Sequence, residues 1–94
     1  MDISFPRTET RILPSAPVEF LVVVDHKVIR AVIDWSTIER LTGDEPIDEI
    51  AARRFIRDNR AAIERAIKAH LFAHGVPLAG QFVLTLDDLG NLQA

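Results

Sequence analysis

Residues Val18–Trp35 read VEFLVVVDHKVIRAVIDW, and this stretch decides the fold. In its first half Val18, Phe20, Val22 and Val24 alternate with Glu19, Leu21, Val23 and Asp25, the period of two that marks a strand in β-branched and aromatic sequence. A second run follows at once, with Ile29, Ala31, Ile33 and Trp35 set against Val28, Arg30, Val32 and Asp34, and with polar Asp25-His26-Lys27 between the runs. Two such runs joined by a short polar segment predict a β-hairpin. The first strand is apolar on both sides, because Leu21 and Val23 face away from the Val18 side. One helical layer covers a single face of a small sheet, so the second face calls for a cover: a short helix, a proline-rich loop or a second copy of the chain, which makes homodimerisation an expectation.

Upstream of the hairpin, residues 6 to 17 hold Pro6, Pro14 and Pro17 and predict a loop or extended edge, with Ile3 to Phe5 a short strand before it. Downstream, Ser36-Thr37-Ile38-Glu39 has the capping-box pattern, and Gly43 supplies a stop, predicting a short helix over 37–41. The acids Asp44 and Glu45 with Pro46 then suit a helix start, and Gly75 and Pro77 an end, predicting one long helix from Pro46 to about His74 that could bend along its length. On that helix Ala52, Phe55, Ile56, Ala62, Ile63, Ala66, Ile67 and Leu71 fall on one arc, with Arg57, Glu64, Arg65 and Lys68 opposite. After Gly80, Phe82, Leu84 and Leu86 alternate with Gln81, Val83 and Thr85, a further strand. The expectation is a single α+β domain over 1–94: a small antiparallel sheet of three to four strands packed against one long helix and one short helix.

A length of 94 residues suits one core and is too short for two. The chain has no cysteine, which excludes disulfides, thiolate metal sites and cysteine nucleophiles and suits a reducing compartment. The start of the chain carries no basic region followed by an apolar stretch of signal length, and the longest apolar run, Phe20 to Val24, is far short of a membrane span. A cytoplasmic protein without membrane contact is expected. The net charge of −3 opposes long-range attraction to nucleic acid.

The order of Ile3-Ser4-Phe5, a hairpin, Ala31-Val32-Ile33-Asp34 leading into a short helix, Phe55-x-x-x-Asn59-Arg60-x-x-Ile63-Glu64, and Val83-Leu84-Thr85-Leu86-Asp87-Asp88 resembles the small bacterial proteins grouped as domain of unknown function 1488. The resemblance spans most of the chain, and its most specific piece is Phe55 with Asn59-Arg60 and Ile63-Glu64. It implies an α+β fold of under a hundred residues and no established activity. Members of that family frequently carry a cysteine near the end of the second hairpin strand; this sequence has Ala31 or Val32 there, so no thiol role carries over.

Three sets of residues invite a functional reading. His70 and His74 stand four apart on one helix, a spacing at which two imidazoles can share a metal ion. No Glu between them gives a metalloprotease helix, and a third ligand would have to be His26 or a carboxylate, so the metal reading is secondary. Asn59 aligns with Phe55, Ala62, Ala66 and His70 on the face expected to be buried, where an amide needs partners. It could pin a neighbouring loop backbone, mark a bend in the helix, or line a pocket with His70; the pin is the favoured expectation. Finally, Arg53, Arg57 and Arg60 lie on one helix edge and could follow phosphates. The helix as a whole nets only +2, and Glu49 with Arg53, Arg54 with Asp58 and Glu64 with Lys68 are spaced to pair four residues apart. No nucleophile elbow, phosphate loop or EF-hand pattern is present in the sequence, and no cofactor is implied. The leading expectation is a non-enzymatic protein-interaction or regulatory module with an unidentified protein partner. The alternatives are a small-ligand or metal site near Asn59, His70 and His74, and weak nucleic-acid binding through Arg53, Arg57 and Arg60.

Overall fold

The computed structural model describes residues 1–6 and 16–90. The hairpin forms as expected. Strand β2 (Val18–Val24) pairs antiparallel with β3 (Lys27–Ile33), from Val24 opposite Lys27 to Val18 opposite Ile33. The connection is the two residues Asp25 and His26, both at positive φ (49° and 71°), the left-handed pair that matches the twist of a tight hairpin. A two-residue strand β1 (Ile3–Ser4) pairs with the end of β2. The Asp25 carboxylate fastens it by accepting the Asp2 N–H at 2.8 Å.

The α+β class and the strand count hold, but the sheet is mixed rather than antiparallel. Strand β4 (Gln81–Leu84) runs parallel to β3, with Ala31 opposite Phe82 and Ile33 opposite Leu84. The cause is the helical layer between them, which returns the chain to the end of the sheet where β3 began, and a return of that kind yields a parallel neighbour. The strand is also shorter than its alternation suggests, because Leu86 belongs to a one-turn helix, α4 (Leu86–Leu89). Similarly, β3 stops at Ile33 and Trp35 opens α1 (Trp35–Thr42).

Two helix starts differ from expectation. Asp34, not Ser36, precedes the first turn of α1, and its carbonyl takes the N–H groups of Thr37 and Ile38. Glu39 does not reach back to a cap; its Oε2 accepts the Ile47 N–H at 3.1 Å and ties down the loop that follows. The next helix, α2 (Glu49–Asp58), therefore begins after Asp48 rather than at Pro46, and the Asp48 side chain accepts the Ala51 N–H at 2.7 Å. A carboxylate cap satisfies a first-turn amide, whereas Pro46 sits in the loop ahead of it. The long helix comes as two segments, α2 and α3 (Arg60–His74), meeting at Asn59.

Among the described residues, the helices send their buried residues to one side of the sheet. Ile38, Phe55, Ile63, Ile67, Leu71 and Leu89 join Val18, Phe20, Val22, Ile29, Ile33 and Leu84 in one cluster. The apolar arc read from the sequence is the buried one, with Ala62 and Ala66 at its half-buried margin. Among the described residues no helix is long and apolar enough to cross a membrane. The proline-rich segment expected to be a loop lies largely outside the described residues. Ile67 is fully buried and Phe72, on the same helix, is 66% exposed. Ile67→Ala should therefore lower unfolding free energy by about 2–5 kcal/mol and Phe72→Ala by less than about 0.5 kcal/mol, as measured by urea denaturation.

Candidate functional site

Asn59 marks the junction of α2 and α3. Its backbone sits at φ −111°, ψ 14°, and both its N–H (3.0 Å) and its side-chain Nδ2 (2.9 Å) donate to the carbonyl of Phe55. The Asn59 carbonyl then accepts from Ile63 at 2.9 Å, so the helical ladder continues across the junction although the Asn59 backbone leaves helical φ and ψ. An amide that competes for a carbonyl of the preceding turn is a recognised cause of helix bending. The side-chain amide is thus spent on its own helix, and a pin on the proline segment lies outside the described residues. Asn59 borders an open cleft with Thr42, Asp44, Arg54, Phe55 and Asp58. His70 is not part of it: eleven residues of helical rise separate the two by about 16 Å.

His70 and His74 do come together, with ring centroids 4.6 Å apart. What surrounds His70 is more informative. Its ring stacks on Phe82 of β4, centroids 4.4 Å apart and planes 10° from parallel. Its buried Nδ1 lies 3.5 Å from Oδ2 of Asp88 on α4, close enough for charge attraction and too long for a well-formed hydrogen bond. His70 thereby joins α3, β4 and α4. His26, the third imidazole considered as a ligand, occupies the hairpin turn. Among the described residues no group of three or more His, Cys, Asp or Glu is arranged to hold a metal ion.

Asp88 enters the sequence reading as the end of the Val83–Asp88 motif, yet Thr85-Leu86-Asp87-Asp88 also carries the spacing of a capping box. The structure contains that box. Thr85 Oγ1 accepts the Asp88 N–H at 3.3 Å, and Asp88 Oδ2 accepts the Thr85 N–H at 2.9 Å. Partial burial, the largest single influence, pushes the Asp88 pKa up; the Thr85 amide, the Thr85 hydroxyl and nearby His70 together outweigh it and hold the carboxyl below its usual 3.8.

The arginine row is divided. Arg53 pairs with Glu49 at 2.8 Å, as its spacing suggests, and Arg57 lies 3.7 Å from Asp58. Arg60 belongs to the next helical segment, where it pairs with Glu64 at 3.1 Å and stands 5.8 Å from the Phe20 ring centroid. That pairing replaces the expected Glu64–Lys68 pair, since Lys68 is placed over the Phe5 ring instead. Asp58 likewise faces Arg57 rather than Arg54.

The remaining feature is the outer face of the sheet. Opposite the helices, Leu21, Val28 and Val83 are 38%, 63% and 47% exposed, and Val23 is half-buried. Compared with protein-family models, curated proteins and solved structures, the chain matches none. The resemblance to domain of unknown function 1488 accordingly rests on the residues quoted above.

Because the Asp88 carboxyl is more acidic folded than unfolded, the stability it contributes is present above the unfolded value and is lost as pH falls through the folded one. Asp88→Asn should therefore be less stable than the parent by a constant amount of about 1 kcal/mol from pH 7 down to about 5, and the gap should close below about pH 4. Urea midpoints across that range measure it.

Proposed function

We propose that this chain is a non-enzymatic protein-interaction or regulatory module of the cytoplasm, and that its working surface is the outer face of the sheet. The observation that carries this reading is the asymmetry of the sheet: helices cover one side, while three large apolar side chains on the other meet solvent. Exposed apolar side chains gathered on one uncovered sheet face are the feature that supports an interaction surface here. Two of the polar residues that could have supported ligand chemistry are engaged within the fold. The Asn59 amide bonds Phe55, and His70 is stacked on Phe82 beside Asp88. A sequence without cysteine suits a reducing compartment.

The rival reading places a small ligand or metal near Asn59, His70 and His74. Site-specific photo-crosslinking in living cells separates the two. A crosslinker at Val28 or Val83 should capture protein, whereas one at exposed Arg65 on the helical side should not. Asn59→Ala and His70→Ala should leave that capture unchanged. If positions 28 and 83 yield no protein adduct, and native mass spectrometry finds a stoichiometric metal or small molecule lost on His70→Ala, the interaction reading is overturned.

A further inference from the structure

The outer face has a charge arrangement that bears on its occupant. The register sets Glu19 opposite Val32 and Leu21 opposite Arg30. Positions two apart on a strand point to the same side, so these four residues form one rectangular block on the two central strands, at the end away from the hairpin turn. One diagonal of the block is charged, Glu19 and Arg30; the other is apolar, Leu21 and Val32. Within the strands, the other outward positions, Val28 and Val83 among them, carry no charge. Both Glu19 and Arg30 are exposed, and among the described residues neither has an ion pair within the chain.

We propose that the occupant of this face is a second copy of the same chain, related by a two-fold axis along the Leu21–Val32 diagonal. Such an axis maps the apolar diagonal onto itself and exchanges the two charged corners. Each Glu19 then stands opposite the Arg30 of the other copy, giving two equivalent ion pairs, while Leu21 on the axis and Val83 beside it lose their contact with water. Val32 is already buried within the chain, so the apolar contact at the axis comes from Leu21. A patch that must meet itself has to be self-complementary, and one acid and one base on a diagonal satisfy that condition; two like charges would not. With strands about 4.8 Å apart and about 6.8 Å between alternate residues, the diagonal is inclined roughly 35° to the strands. The two sheets would then cross at roughly 70°, nearer the orthogonal than the aligned mode of sheet packing. Stable dimers bury about 800 Å² per partner, and association through one face of a small sheet is expected to be concentration-dependent.

This proposal rests on the reading of the outer face as the working surface, and the experiment separates the two. Sedimentation equilibrium of the full chain between about 10 and about 300 µM, a range that spans weak to moderate self-association, should show a monomer–dimer equilibrium. E19R and R30E should each weaken it at least about tenfold, the size of effect expected for like charges brought face to face. The E19R/R30E double variant, and an equimolar mixture of the two single variants, should regain dimer, because each restores opposite charges at both corners. Far-UV circular dichroism confirms that the variants fold, and L21D provides a second disruption on the apolar diagonal. A wild-type monomer throughout, single variants that dimerise like the parent, or a double variant that remains monomeric overturns the proposal. Capture of a different protein from positions 28 and 83 would overturn the second copy while leaving the interaction reading in place.

Discussion

The pairing of β2 with β3 is the constraint on which the other elements depend. The turn at Asp25 and His26 allows one register, Val24 opposite Lys27, and side chains alternate strictly in a strand. A shift of one position would send Val18, Phe20, Val22 and Val24 to the other face together. With the register set, that row and Ile29, Ala31 and Ile33 make a continuous apolar floor. The helices have one place where their own apolar arcs lose contact with water, and the return of the chain across that floor makes β4 parallel to β3.

The helical layer reaches the floor as two segments. Asn59 gives the Phe55 carbonyl a second donor where α2 gives way to α3. Phe55 and Ile56 on one side of the junction and Ile63, Ile67 and Leu71 on the other reach the same cluster. At the far end, His70 lies flat on Phe82 while the Thr85–Asp88 box holds α4 beneath it. These polar contacts sit at joints of the fold, where a backbone changes direction or one element meets another. Their chemistry is accounted for by structure, which is why the functional reading moves from the helices to the opposite side of the sheet. There the charged side chains within the strands are Glu19 and Arg30, set among apolar residues with uncharged Ser4 and Gln81, and their arrangement is a property of adjacent strands rather than of any local motif.

Much of this was legible in the chain itself. The period of two over Val18–Asp34 specified the hairpin, and the apolar arc from Ala52 to Leu71 specified which helix face is buried, because both patterns are imposed by local backbone geometry. The two-sided apolar character of β2 was equally plain. The capping residues were less so: Ser36 and Glu39 have the right spacing for a box, yet Glu39 is drawn to the Ile47 amide eight residues on, a partner that exists only once the loop has folded back. The Thr85–Asp88 box was present as a spacing but lay inside an alternating run, and the strand signal obscured it.

Sequence by itself determined the α+β class, the hairpin, the buried faces and the absence of thiol chemistry, since each follows from residue type and short-range period. Tertiary structure alone decided the parallel placement of β4, the separation of Asn59 from His70, the contact of His70 with Phe82 and Asp88, and the diagonal of Glu19 and Arg30 on the outer face. Each of these depends on where distant segments lie in space, and the energies that bring them together come from burying apolar surface, which is non-directional. Such a force dictates that a face be covered; the geometry of the folded strands and helices dictates what lies beside what.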